Sequence, residues 1–468
     1  MNEQMMENVT FDELELRQSA ELTRTLTHRD IELFAAVSGD VNPAHMDEIY
    51  ALNGAFHGVI GHGMWSGGLI STVLGTMLPG PGTIYLGQEM RFLHPVRIGD
   101  EITVTVSVKS KRPDKPIVIF DCICRNQNGE TVLAGTATVL APTEKIRVAR
   151  PDLPQVDILE RNHFNGIMAN AHALGKIRVA VVHPVGENVI EAVKEAVDEQ
   201  MIEPVLIGPL ERIQEAATAC DIDIGGWTCI DTEHSHAAAE KAVELAAAGE
   251  VDALMKGSLH SDELLAAVVD PAGGLRTEKR ISHVFIMGIH TYSKPLFITD
   301  AAINIAPDLE QKADITQNAI DLWRVLFGED KKPKVALLSA VETVQSSMPS
   351  TLDAAALCKM ADRGQISGAI LDGPLAFDNA ISRDAAQEKG ITSSVAGDAD
   401  ILVVPNIEAG NALAKQLIFL GKEDAAGIVL GARVPVILTS RSDSTRARLL
   451  SCAVAVALSV ARKKGRIK

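Results

Sequence analysis

An aspartate and a histidine five positions apart, Asp40 and His45, could activate a water molecule together. Gly39 favours the end of a helix, and Pro43 keeps the next turn out of the preceding helix, so both side chains can project from one short loop. A carboxylate and an imidazole aimed at the same small volume can hold one water and remove its proton. The alternative is an Asx-type turn with a surface aspartate and an ordinary histidine.

The elements that must position this loop follow from hydrophobic periodicity. Thr27 and Asp30 form a capping-box pattern before a short helix that Gly39 can end. A second helix is predicted over 64–78, with small residues that let a sheet wrap it closely, and its sequence is followed by strand-like segments at 83–93, 101–111, 117–126 and 131–140. One helix followed by an antiparallel sheet indicates an α+β domain.

Three stretches carry a specific resemblance: residues 38–45 (SGDVNPAH), 59–64 (VIGHGM) and 78–100. They resemble the MaoC-like, (R)-specific enoyl-CoA hydratase family, which implies a hot-dog fold and hydration of a trans-2-enoyl-CoA. By this resemblance Asp40 and His45 hold the water that attacks C3, with Asp40 as general base. The N–H of Gly63 would receive the thioester oxygen, where a helix N-terminus stabilises negative charge. His62 is interpreted as a packing residue at the start of the helix.

A change of character separates two predicted domains. Residues 1–142 form the hot-dog domain, and 143–155, with prolines among charged residues and no periodicity, form a linker. Residues 156–468 alternate short β-branched runs with helical patterns, which predicts an α/β domain. Polar residues follow several of its strands, at the edge where such sheets bind ligands. They include Lys256, Asn304, Asn411, and Ser440 with Arg441 and Asp443.

The second domain also carries a resemblance, in residues 395–400 (VAGDAD), 405–411 and 435–444 (PVILTSRSDS). They resemble the phosphate acetyl/butyryltransferase family, which implies a two-lobed α/β domain with a mainly parallel sheet. By this resemblance Ser440 contacts the CoA sulfur and Arg441, with its fork of donors, stabilises phosphate and thioester charge. Asp443 is the available base, since Ala447 stands where the family has an aspartate.

The family's substrate contacts imply further residues. Arg276 or Arg280 would supply a cation that the acetyltransferase branch places after its Ser-Gly turn, where this chain has no arginine. The side chains expected to bind substrate are Asn42 in the first domain and Lys256, Arg276, Asn304 and Asn411 in the second.

Composition excludes several partners. The 468 residues include 44 basic and 61 acidic ones, and the formal charge of −17 argues against nucleic acid or an anionic membrane as the main partner. The acidic N-terminus has no signal-like segment, so a cytoplasmic protein is expected, and the most apolar stretch, 449–461, is too short to span a bilayer. Neither a metal-binding spacing of cysteines nor a dinucleotide fingerprint is present, so CoA thioesters and phosphate are expected as substrates, without metal or redox cofactor.

Both domains would act on acyl-CoA, so the sequence is interpreted as that of a bifunctional enzyme. The alternative is that only one half is catalytic, the other being an acyl-CoA sensor or an oligomerisation module. A nicotinamide-dependent dehydrogenase on a related fold is disfavoured by the missing fingerprint. The two resemblances imply two different dimer contacts, one that extends the hot-dog sheet and one between transferase domains. A homo-oligomer larger than a dimer is therefore expected. Acyl chain length stays open.

Overall fold

The chain forms two compact units, Met1–Leu159 and Glu160–Lys468. A computed structural model describes residues 5–153, 156, 163–439 and 443–466. Part of 143–155, the stretch expected to be a linker, is a β-strand: Arg147–Ala149 pairs antiparallel with Met5–Glu7.

The first unit has an antiparallel sheet that packs on one central helix. The strands of this unit are β1 (Met5–Glu7), β2 (Ser19–Thr25), β3 (Ile84–Phe92), β4 (Glu101–Lys111), β5 (Ile117–Arg125), β6 (Thr131–Leu140) and β7 (Arg147–Ala149). Its helices are α1 (His28–Ser38), α2 (Pro43–Met46), α3 (Glu48–Asn53) and α4 (Gly63–Thr76). In the described residues the main sheet has five strands in the order β2-β4-β5-β6-β3, and β1 and β7 pair separately. The inner face of the main sheet forms one core with α4. This is the predicted hot-dog architecture.

The local signals around α1 and α4 act as the sequence predicts. Thr27 and Asp30 form a reciprocal capping box at the start of α1, and Gly39 ends that helix in the left-handed region with φ 75°. Helix α4 ends at Thr76, two residues before the predicted end, because Pro79 disfavours the helical conformation at the residue before it.

The second unit is built on a large, mostly parallel sheet. Its strands are β8 (Ile177–Val182), β9 (Ile202–Gly208), β10 (Thr228–Asp231), β11 (Ala253–Lys256), β12 (Ser282–Gly288), β13 (Leu296–Thr299), β14 (Lys334–Leu338), β15 (Ile370–Leu375), β16 (Ile401–Val403), β17 (Asp424–Leu430) and β18 (Val436–Ile437). In the described residues their order in the sheet is β10-β9-β8-β11-β18-β17-β12-β13-β16-β14-β15. The mainly parallel α/β class expected for this half is confirmed.

Helices cover this sheet and enclose its cores. They are α5 (Asn165–Leu174), α6 (Glu187–Asp198), α7 (Leu210–Ala219), α8 (Ser235–Ala247), α9 (Ser261–Val269), α10 (Leu309–Phe327), α11 (Pro349–Asp362), α12 (Phe377–Ile381), α13 (Arg383–Glu388), α14 (Ile407–Lys415) and α15 (Thr445–Lys463). A 3-10 turn at Pro271–Gly273 and a π-helical turn at Gln416–Leu420 complete the set described.

The centre of the sheet departs from the parallel pattern. Strand β12 pairs antiparallel with both β13 and β17, and β17 pairs antiparallel with β18. In β17 the first residue, Asp424, is followed by Ala425, Ala426 and Gly427, which have low strand propensity. Helix α15 contains the apolar stretch 449–461 and is buried along most of its length. Among the described residues, no helix has the length and apolar character needed to cross a membrane.

The VAGDAD motif contributes an ion-pair network to the second unit. Asp398 contacts the ammonium groups of Lys334 at 2.5 Å and Lys294 at 3.0 Å, and the guanidinium of Arg383 at 3.2 Å. Lys294 also contacts Asp400 at 2.7 Å. Burial alone would raise the pKa of Asp398, but hydrogen bonds and charges from Lys334 and Lys294 outweigh it and lower the pKa to about 2. This part of the motif therefore joins separate segments of the fold.

Replacing Asp398 by Asn should destabilise the second unit at neutral pH by about 2–3 kcal/mol, the scale of a lost hydrogen bond to a charged group. The folded-state pKa lies below the ordinary value of 3.8, so the stabilisation is fully present above that value and is lost as pH falls toward about 2. Thermal melting at pH 7 and at pH 3 checks this: the gap between variant and unmutated protein should shrink at pH 3. An equal gap at both values would contradict an electrostatic origin.

Candidate active sites

The loop after α1 holds Asp40 in a defined turn. The Asp40 N–H donates to Ser38 Oγ at 3.2 Å, and the Asn42 N–H donates to Asp40 Oδ1 at 3.2 Å. Asn42 then caps α2 by accepting from the Ala44 N–H at 3.0 Å. The Asp40 side chain is exposed, so its carboxylate can meet water or substrate. The expected substrate residue Asn42 thus acts within the structure as a helix cap.

His45 is fixed by a backbone carbonyl. Its Nδ1 lies 2.8 Å from the carbonyl oxygen of Ile60. Because that oxygen can only accept, Nδ1 carries the proton and Nε2 of the neutral ring keeps its lone pair. The half-buried ring of His45 therefore presents an acceptor that can hold the hydrogen of a water molecule.

A third side chain, His62, joins this pair. One ligand atom from each of Asp40, His45 and His62 lies within 4.8 Å of the others. The rings of His45 and His62 have their centroids 4.0 Å apart, and His62 Nε2 lies 2.9 Å from the carbonyl oxygen of Asp40. The spacing suits one water molecule or one small cation. The sequence interpretation of His62 as a packing residue did not reveal these contacts.

Gly63 is the first residue of α4, directly after His62. Its N–H lies in the first turn, where the helix supplies no acceptor for it, and the helix dipole adds positive character there. A Cβ at this position would lie 3.0 Å from the ring of Phe92, so a side chain would crowd the space next to the helix start. Glycine thus leaves this N–H open to an approaching oxygen.

The second unit contains a cavity of about 690 Å³ lined by Arg276, Arg280 and Asn304. Asn304 is buried; its Oδ1 accepts from Arg280 Nε at 2.7 Å and its Nδ2 donates to the Ile281 carbonyl at 2.9 Å. Arg276 is exposed, and its guanidinium has no partner among the residues that the structure describes. Acidic residues share the lining: Asp262, Glu278, Glu310 and Asp314. The structure brings the predicted Asn304 together with both candidate arginines, Arg276 and Arg280.

Lys256 lies at the end of β11 beside the strand that leads to the predicted reactive serine. It is only 4% exposed, and its Nζ lies 3.5 Å from the carbonyl oxygens of both Gly257 and Thr439. Ser440 and Arg441 themselves lie outside the described residues. The structure thus places Lys256 next to the residue that precedes Ser440.

Asp443 and Asn411 occupy other places. Asp443 lines a separate cavity of about 330 Å³, and its carbonyl accepts from Nη1 of the buried Arg448 at 2.7 Å. Asn411, on α14, donates from Nδ2 to the Ala301 carbonyl at 3.1 Å. Burial lowers the pKa of Arg448, and the nearby charge of Asp443 partly opposes that shift. Arg448 could not be identified from the sequence, because nothing in the residues around it on α15 distinguishes it from a surface arginine.

Each unit matches a known protein family. Residues 233–456 match the family described as "Phosphate acetyl/butaryl transferase", and residues 12–119 match the "MaoC like domain". The chain is 57% identical to the phosphate acetyltransferase of Rickettsia prowazekii over 293 residues, which cover 63% of this chain and 83% of that protein.

Two solved structures each resemble one part of the chain. A branched-chain phosphotransacylase from Enterococcus faecalis is 31% identical, with a TM-score of 0.54, over 60% of this chain and 99% of its own. An (R)-hydratase of Pseudomonas aeruginosa is 46% identical, with a TM-score of 0.32, over 33% of this chain and 99% of its own.

The fold class is therefore a MaoC-like hot-dog unit followed by an α/β acyltransferase unit. The chain belongs to the phosphate acetyl/butyryltransferase family. Both resemblances predicted from the sequence motifs are confirmed.

Proposed function

We propose that this chain is a bifunctional acyl-CoA enzyme. Its first unit hydrates trans-2-enoyl-CoA to (R)-3-hydroxyacyl-CoA, and its second unit exchanges a short acyl group between CoA and inorganic phosphate. The observation that carries the first activity is the cluster of Asp40, His45 and His62, the last of which directly precedes Gly63 at the start of α4. Family membership carries the second. Both reactions are proposed to run without metal or redox cofactor.

In hydration, one water donates hydrogen bonds to the Asp40 carboxylate and to His45 Nε2. Asp40 takes a proton as the water oxygen forms its bond to C3, and the π electrons move into a thioester enolate. The Gly63 N–H and the dipole of α4 stabilise the enolate oxygen. The proton held by Asp40 then passes to C2, so that the elements of one water have been added.

In acyl transfer, a phosphate oxygen attacks the thioester carbonyl and the CoA thiolate leaves. Ser440 is proposed to contact the sulfur, Arg441 to stabilise the transition-state charge, and Asp443 to exchange the thiol proton. The support from the fold is the position of Lys256 beside Thr439, and the cations Arg276 and Arg280 in one cavity. A chain of charge −17 needs such local cations to bind a CoA polyanion and phosphate.

The test is to assay the purified full chain separately for crotonyl-CoA hydration and for phosphate-dependent release of CoA from acetyl-CoA and butyryl-CoA. Both activities are expected, and the ratio of the two release rates reports acyl chain length. Hydration should survive dialysis against EDTA. If EDTA abolished hydration, Asp40, His45 and His62 would instead be assigned as ligands of a metal ion. Absence of one activity would leave that unit as a sensor or an oligomerisation module.

We also propose that the chain forms a homo-oligomer. Strand β3 is an edge of the first unit's sheet, with Ile84 54% and Leu86 52% exposed, whereas the opposite edge strand, β2, exposes polar residues such as Glu21 and Thr23. Long exposed apolar edges invite pairing with another chain. A second copy of β3 is the matching partner.

Leu86→Glu should therefore lower the molar mass measured by light scattering on the full chain, because it places a charge in the proposed contact. Thr23→Glu, on the polar edge, is the matched control and should leave the mass unchanged. A monomer in the unmutated protein at micromolar concentration would refute the proposal. A mass above that of a dimer is expected if the second unit contributes its own contact.

A further inference from the structure

We propose that His62 is the positioning residue of the hydration site, a role that rests on the hydration proposed above. His62 is 3% exposed, and its Nε2 lies 2.9 Å from the Asp40 carbonyl oxygen. Since a carbonyl can only accept, Nε2 of His62 donates the hydrogen bond. The bond ties the backbone of the loop at Asp40 to the residue that precedes α4.

The ring of His62 also supports His45. The two ring centroids are 4.0 Å apart, and Phe34 lies on the ring of His62 at 4.9 Å. His62 Nδ1 is buried and has no hydrogen-bond partner among the described residues, so the Nε2 bond and these ring contacts are what hold the imidazole in place.

The positions of three functional groups therefore depend on one side chain, that of His62. His62 holds Asp40 through a hydrogen bond, His45 through a ring contact, and Gly63 as its covalent neighbour. A displacement of His62 changes the distances between base, water and oxyanion donor together. Since a misplacement of about 1 Å can cost about a hundredfold in rate, we expect His62 to govern kcat more than KM.

The test compares two variants of the full chain, His62→Gln and His62→Leu. Gln can donate from Nε2 to the Asp40 carbonyl, whereas Leu fills space but cannot donate. We expect His62→Leu to lower kcat for crotonyl-CoA hydration roughly 30- to 100-fold with KM changed less than about threefold, and His62→Gln to lose less than about tenfold. His94→Leu is the control, because His94 is an exposed histidine of the same unit whose side chain contacts the Thr131 carbonyl and no other hydrogen-bond partner among the described residues.

A readout independent of activity is hydrogen–deuterium exchange of the backbone amides in 40–47. Exchange there should quicken in His62→Leu and stay near the unmutated rate in His62→Gln. If His62→Leu does not fold, His62→Asn, whose shorter amide cannot reach the carbonyl, replaces it. Equal kcat and equal exchange in all variants, with only melting temperatures altered, would overturn the proposal and leave His62 as a packing residue. If the unmutated protein does not hydrate crotonyl-CoA, the proposed function fails, and the exchange data still decide whether His62 holds the loop.

Discussion

Asp40→Asn is expected to lower crotonyl-CoA hydration by about two to four orders of magnitude, because the amide cannot take the proton of the attacking water. The substitution preserves the fold of the loop: the Asn oxygen can still accept from the Asn42 N–H, and the backbone carbonyl can still accept from His62. The loss of enoyl-thioester absorbance measures the rate, and unchanged melting shows that the protein is intact.

His45→Gln gives the second half of this prediction. If Asp40 and His45 hold one water as a unit, the double variant should be little slower than either single variant. Losses that multiply would contradict a shared water and would assign the two residues to separate steps. Phosphate-dependent acyl transfer, measured on the same samples, should not change, because Asp40 and His45 belong to the first unit.

Arg441→Lys is expected to lower phosphate-dependent acyl transfer roughly 10- to 100-fold. Lysine keeps the positive charge but loses the planar fork of donors that matches phosphate and carbonyl oxygens. The release of CoA from acetyl-CoA or butyryl-CoA in the presence of phosphate measures it, and hydration serves as the internal control.

Asp443→Asn separates two roles for the neighbouring carboxylate. If Asp443 exchanges the thiol proton, transfer should fall most strongly at low pH while melting stays unchanged. If Asp443 is structural, the melting temperature should fall and the transfer rate of the folded protein should stay unchanged. Unchanged transfer in both the Arg441 and the Asp443 variants would make the second unit a binding module.

Much of the first unit could be predicted from its sequence because its determinants are local. The capping box at Thr27, the left-handed Gly39 and the strands after α4 each depend on short-range patterns. The contact made by His62 could not be predicted, because its partner, the Asp40 carbonyl, is a backbone atom 22 residues away. A sequence pattern contains no information on which buried nitrogen faces which carbonyl.

Less of the second unit could be predicted from its sequence, for the same physical reason. Its class follows from alternating strands and helices, but strands β12 and β17 pair antiparallel inside a mainly parallel sheet through long-range contacts. The bond between Arg280 and Asn304 likewise joins residues 24 positions apart. The sequence placed Asn304 after a strand and gave Arg276 no position in the fold, whereas the structure brings both to one cavity.

The apolar edge at β3 has a consequence for synthesis of the chain. The first unit ends at Leu159, so it can fold on the ribosome while most of residues 160–468 are still to be made. At roughly 5–20 residues per second this takes roughly 15–60 s. During that time the edge is already formed and uncovered, and the nearest identical edge belongs to the next chain on the same messenger RNA. In the proposed oligomer, first units on neighbouring ribosomes can therefore pair before either second unit has folded.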